Sequence, residues 1–256
     1  MSGVLDNKVA VVVGAASGLG EVVATGAAAE GAIVVVADID AAGAERVAKD
    51  ITTAGRRATP CTVDVTREAD VVSMVGAAKD AGGLDLLVLS AAVETRASVV
   101  ECEDDDWQRV IDVNLKGPFL CMKHAIPVMA AAGGGSVVAL GSVLGAIVAP
   151  KYAAYCASKF ALVNLCKQAA IEHARQGVRV NVVAPSATEA GLFLQVAAQA
   201  EDPEGLKKMV AANTPMGRLG TADDVWQTVL FLAGPGSSYI SGTVIPLDGG
   251  MAARRM

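Results

Sequence analysis

Tyr155 and Lys159, in the segment Tyr155-Cys156-Ala157-Ser158-Lys159, are the pair in this chain best suited to move a proton. The residues after them, FALVNLCKQAAIEHA, are rich in helix formers and free of Pro and Gly through Gln176, which predicts a helix. Side chains four positions apart on a helix are neighbours. A free Tyr titrates near pH ~10, and a fixed cation beside it favours the phenolate, which is one recipe for a general base. Alone, a Tyr and a Lys at this spacing more often mean a half-buried ring and a solvated amine. The context alters that balance. Ser142 ends the apolar run GSVVALGS upstream of the pair, and a glycine-rich turn stands near the N-terminus.

That turn sits between a strand and a helix. Lys8–Val13 is a continuous apolar run of the kind buried on both faces of a parallel sheet. Gly14-Ala15-Ala16-Ser17-Gly18-Leu19-Gly20 follows at once, and then a helical stretch to about Glu30. Glycines in this context permit a tight turn and let a pyrophosphate approach N–H groups at a helix N-terminus. A second strand, Ala32–Ala37, ends at Asp38, whose carboxylate can accept from the adenosine ribose hydroxyls and would repel a 2′-phosphate. No Arg occupies Ala15, Ala16 or Ile39, so NAD is expected over NADP. The competing reading of Asp38 is that it opens the next loop or caps a helix starting near Asp40.

Further elements alternate in the same way. Strands are expected at Ala58–Val63, Leu84–Ser90, Ser136–Leu140, Val178–Ala184 and Thr243–Leu247, with helices at Glu68–Ala81, Ala153–Ala174 and Ala222–Ala233. The acidic cluster Glu101, Glu103, Asp104, Asp105 and Asp106 complements the N-terminus of a long helix running to about Ala131. Asn114 lies inside that helix, where Asn is mildly unfavourable, which suggests a task. Ser142 stands beyond the end of a strand, where open α/β sheets bind ligands. The segment 186–213 carries Leu192, Phe193, Leu194 and Val196 and reads either as a lid over a substrate or as a helix buried on its own core. The expected fold class is α/β: a Rossmann-like, doubly wound parallel sheet of about seven strands with helices on both faces, as a single domain over 1–256.

Composition narrows the function. A net charge of -6 with scattered Lys and Arg, apart from the Arg254–Arg255 pair, argues against nucleic acid as a partner. No apolar run reaches membrane-spanning length and the first residues lack signal-peptide character, so no membrane association and a cytoplasmic location are expected. Cys61, Cys102, Cys121, Cys156 and Cys166 show no CxxC spacing and read as reduced thiols, and His124 and His173 have no nearby ligand partner, so no metal is expected.

The pattern G-x-x-x-G-x-G at Gly14–Gly20, with Ser142 and Tyr155-x-x-x-Lys159 at their spacing, resembles the short-chain dehydrogenase/reductase family from Lys8 to Gly250. The resemblance implies hydride transfer between a nicotinamide cofactor and an alcohol or ketone. Tyr155 would exchange the proton, Ser142 would orient the substrate oxygen, and Lys159 would lower the Tyr pKa and bind the nicotinamide ribose. Asn114, in Asn114-Leu115-Lys116-Gly117, would order water leading to Lys159. Asp64 and Val65 would meet the adenine, Ala91 would lie beside the cofactor, and Pro185 with Thr188 would lie near the carboxamide. Thr188 here replaces a hydroxyl that the family places at Ala190. The chain also departs from the family at Val13, at Leu89-Ser90 in place of two Asn, and at Ser186. Val13 and Leu89, at neighbouring strand ends, are expected to compensate by packing together. Val143, Leu144, Tyr152, Phe193 and Leu194 would form an apolar pocket for a hydrophobic or cyclic secondary alcohol or ketone, with Glu94 available for a second hydroxyl or else facing solvent. The resemblance also implies a homotetramer, with the helix at Ala153–Ala174 and the helix at Asp106–Ala131 in an interface. The rival reading is a catalytically silent NAD-binding regulator.

Overall fold

Runs of β-branched residues without polar alternation become the centre of a sheet covered on both sides. The structure, a computed structural model, describes residues 3–253, so the Arg254–Arg255 pair lies outside it. The strands are β1 (Val9–Val13), β2 (Ile33–Asp38), β3 (Arg57–Thr62), β4 (Leu86–Leu89), β5 (Gly135–Leu140), β6 (Val178–Pro185) and β7 (Val244–Leu247). They form a 7-stranded sheet in the order β3-β2-β1-β4-β5-β6-β7, every neighbouring pair parallel. The edge strands β3 and β7 carry Pro60 and Pro246, residues without an N–H donor, which edges tolerate and which blunt pairing with another sheet.

The helices are α1 (Gly18–Ala29), α2 (Ala41–Thr53), α3 (Glu68–Asp80), α4 (Asp104–Ile111), α5 (Gly117–Ala131), α6 (Ala153–His173), α7 (Leu192–Ala198), α8 (Pro203–Asn213) and α9 (Ala222–Ala233). Alternation along β1 sorts them into two layers. Val9, Val11 and Val13 share a core with Val71 and Met74 of α3, Met129 of α5 and Leu162 of α6. Ala10 and Val12 share the other with Val23 of α1, Ile51 of α2 and Val229 of α9. Successive strands are added in one direction up to β3 and in the other from β4 onward, so the loops after β1 and β4 diverge and leave a crevice at their C-terminal ends. Val13 and Leu89 are register partners at that point, both buried in one core, so packing occupies the place where the family's polar side chains would stand.

The long helix expected up to Ala131 is interrupted. Residues Asp112–Lys116 form a π-helical turn between α4 and α5. Pro118 has no N–H to give the carbonyl four residues back, that of Asn114, and the turn widens so that Gly117 N donates to Asp112 O. Asn114 is buried at this turn. Its Oδ1 accepts from Val93 N at 2.9 Å, and its Nδ2 donates to Val93 O at 2.8 Å and Ser158 Oγ at 3.2 Å. A side chain that is poor for helix propensity thus ties the loop after β4 to α6.

Candidate active site

The crevice is a cavity of about 570 Å³ bounded by the β1–α1 turn, the ends of β2, β4, β5 and β6, the start of α6, and α7. Gly14 has φ +80, and a Cβ there would lie 2.5 Å from Ala91 N, so only glycine allows the turn to approach the loop after β4. Gly20 serves differently: a Cβ on it would collide with the Gly14 carbonyl oxygen, which keeps it behind the cavity wall. Ser17 is the N-cap of α1 yet makes no side-chain bond to the first turn, whereas Asp40, Asp202 and Thr221 cap α2, α8 and α9. The first N–H groups of α1 therefore face the cavity beside Ser17, Gly18 and Leu19 without a side-chain acceptor, an arrangement that fits a dinucleotide pyrophosphate.

Asp38 closes the far end. Its carboxylate accepts from Ala16 N at 2.9 Å and Asp40 N at 3.0 Å, which fixes it toward the cavity; Asp40, not Asp38, caps α2 through Gly43 N. Sequence reasoning missed Arg46, which donates to the Ala16 carbonyl at 2.8 Å. Its guanidinium also grips both oxygens of Glu21, so this cation near the turn is already paired. The signal existed only across elements, since Arg46 lies on α2 and Glu21 on α1.

At the other end, α6 begins at Ala153 and presents Tyr155 and Lys159 side by side, with Lys159 Nζ 5.5 Å from the Tyr155 ring centroid. Both are buried, and Nζ donates to the Leu140 carbonyl at 2.9 Å. Ser142 follows β5, and its Oγ accepts from Leu144 N at 3.1 Å, leaving its own proton to give. Burial raises the Tyr155 phenol above its usual value, and a hydrogen bond with Ser142 offsets part of that. The same burial lowers the Lys159 ammonium from 10.5 to about 8. Desolvation acts on both members of the pair, and adjacency alone does not make a phenolate.

Asp64, Val65, Ala91, Glu94, Val143, Leu144, Tyr152, Pro185, Thr188 and Phe193 all line this one cavity, and Gly20 and Asn114 do not. Asp64 is held by its own loop, accepting from Thr66 N and Thr66 Oγ1. Thr188 is buried and its hydroxyl donates to Ala190 O at 3.1 Å, so it is already engaged within its loop. Leu194 departs from expectation: Leu192, Phe193 and Val196 line the cavity, but Leu194 lies on the opposite side of α7, in a shallow groove with Val22 and Trp226. A seven-residue helix cannot show all its apolar residues to one side. Among the described residues there is no cluster of His, Cys, Asp or Glu that could hold a metal, and no helix long and apolar enough to cross a membrane.

A family model described as enoyl-(acyl carrier protein) reductase matches residues 14–252. The chain is 38% identical over 248 residues to cis-4-hydroxycyclohexanecarboxylate dehydrogenase of Sinomonas cyclohexanicum, covering 96% of this chain and 97% of that one. It is 36% identical over 255 residues to 2-(S)-hydroxypropyl-CoM dehydrogenase 3 of Xanthobacter autotrophicus, covering 99% and 100%. Among solved structures, a gluconate 5-dehydrogenase from Burkholderia cenocepacia in complex with NADP and tartrate superposes with a TM-score of 0.91 at 29% identity, covering 97% of this chain and 96% of that one. With the parallel sheet, the glycine turn and the Ser142, Tyr155 and Lys159 cavity in place, these likenesses identify the chain as a member of the short-chain dehydrogenase/reductase family, an oxidoreductase.

Proposed function

We propose that the chain is an NAD-dependent oxidoreductase that transfers hydride between the cofactor and a secondary alcohol or ketone of hydrophobic or cyclic form. The observation that carries this reading is one cavity holding Ser142, Tyr155 and Lys159 at one end and the uncapped N-terminus of α1 with Asp38 at the other. NAD over NADP rests on Asp38, fixed by Ala16 N and Asp40 N where a 2′-phosphate would meet its charge, and on the pairing of Arg46 with Glu21. Val143, Leu144, Tyr152 and Phe193, joined by Leu192 and Val196, give the substrate end an apolar wall. The ring alcohol in the name of the Sinomonas relative supports the same substrate class.

When bound, a nicotinamide cofactor would supply the acceptor or donor for the hydride of the carbinol carbon. In the oxidative direction Tyr155 takes the hydroxyl proton of the substrate, and in reduction it gives the proton back. The Ser142 hydroxyl, with its oxygen committed to Leu144 N, donates to the substrate oxygen and fixes its position. Lys159 uses one N–H on Leu140 O and keeps two for a ribose and for the phenol's electrostatics. Asn114 acts from behind the wall by holding both backbone groups of Val93, a positioning role. A homotetramer is part of this proposal, supported by the exposed Trp107, Phe119, Phe160 and Ile171 on α4, α5 and α6.

The test follows NADH absorbance with a panel of cyclic secondary alcohols. Turnover with NAD, reduced about a hundredfold to ten-thousandfold in Tyr155→Phe while NAD still binds, is the expected result. Tight NAD binding with no turnover of any alcohol would refute the enzyme reading and favour the silent regulator.

A further inference from the structure

The substrate end of the cavity contains one carboxylate that the proposed mechanism does not use. Glu94 follows β4 and lines the cavity with Leu144, Tyr152 and Tyr155. Its backbone is anchored on both sides: Asn114 holds Val93, and Arg109 donates to Glu94 O at 3.4 Å and Thr95 Oγ1 at 3.0 Å. The carboxylate itself makes no hydrogen bond or ion pair with any described residue. The cation that acts against its raised pKa, Arg96, is placed over the Tyr152 ring at 5.3 Å from the centroid and does not line the cavity. Lys159 is the one Lys or Arg among the described residues of the wall, and it stands beside the Tyr155 ring with one N–H on Leu140 O. Half-burial raises the Glu94 carboxyl above its ordinary value and, in turn, its charge raises Tyr155 and Tyr152. A group that works against the phenolate and has no structural partner needs another reason to be there.

We infer that Glu94 sets substrate charge and polarity: the cavity takes an uncharged alcohol or ketone bearing a second hydroxyl, which donates to the Glu94 carboxylate, and it rejects substrates carrying a carboxylate. The inference rests on the dehydrogenase reading for the identity of the first hydroxyl. An acceptor-only group that no described side chain satisfies rewards a substrate donor, and a like charge in a half-buried site is repelled, with Arg96 offsetting this only from outside the cavity. A hydrogen bond to a charged acceptor is expected to favour the diol about tenfold or more over the mono-alcohol.

The experiment measures binding by calorimetry to the NAD-saturated protein, for wild type and Glu94→Gln, with cyclohexanol, the 1,2-, 1,3- and 1,4-cyclohexanediols, and cis-4-hydroxycyclohexanecarboxylate. NADH formation is followed in parallel. The expected result is at least one diol binding about tenfold tighter than cyclohexanol and the carboxylate binding about tenfold weaker. In Glu94→Gln both ratios should move toward one. Equal ratios in the two proteins, a carboxylate bound as tightly as the best diol in wild type, or no binding of any of these ligands would each overturn the inference. Ordered binding without NADH formation would instead sink the dehydrogenase reading and leave the selectivity of Glu94 standing.

Discussion

Lys159→Met should stabilise the fold near neutral pH while destroying turnover, and the gain should fade as pH rises. Lys159 is 2% exposed, and its ammonium is lowered from 10.5 to about 8 because burial disfavours the charged form. At about 1.4 kcal/mol per pH unit of displacement, keeping that amine charged in the fold costs about 3 kcal/mol. The sign follows from linkage. Below about 8 the amine is protonated folded and unfolded, so the penalty is complete; above 10.5 it is neutral in both and the penalty is gone. At pH ~9.5 about half remains. Methionine removes the charge at similar volume but leaves Leu140 O without its partner, a loss of about 1 kcal/mol. The net gain is therefore about 2 kcal/mol at pH ~7 and close to zero at pH ~9.5. Cys166, which faces the same amine, is pushed up to about 12 by burial and stays a thiol in both folded proteins across this range. Urea unfolding of the two proteins at the two pH values measures the gap. A gap that is the same at both, or a variant less stable than wild type at neutral pH, would refute the reasoning.

Two further outcomes follow from the same geometry. Asn114→Leu strips partners from Val93 N, Val93 O and Ser158 Oγ and should cost about 2–4 kcal/mol in urea unfolding, with an unchanged midpoint counting against the role described. Asp38→Ala should raise the KM for NAD about tenfold and shift preference toward NADP, because the loss removes both the ribose acceptor and the repulsion of a 2′-phosphate; an unaltered ratio of the two cofactors in steady-state kinetics would show that Asp38 does not select.

The sheet was legible because its strands are short apolar runs between turn residues, and the bounds of α9, Ala222–Ala233, match those read from the chain. The compensation at Val13 and Leu89 could also be read, since strands on either side of the reversal point end at the same height and share a core. The π-helical turn was not legible from periodicity, although Pro118 four residues after a helical Asn was a usable sign. Tyr155 shows the deeper limit. Spacing fixes which charges are neighbours, but the direction of its pKa is set by how much water the fold removes, and that depends on α7 and on the loops after β4 and β5. Arg46 and Glu21 escaped for a related reason: their pairing joins two helices distant in sequence.

The widened turn at Asp112–Lys116 makes one rod answer to two masters. Its α4 half packs on α6 and its α5 half on α3, while the residue at the joint grips the strip of backbone that carries Glu94. Trp107 and Phe119, on the outer side of the two halves, are partly bare. One joint therefore ties that outer face, through Asn114 and Val93, to the backbone that bears Glu94 at the cavity wall.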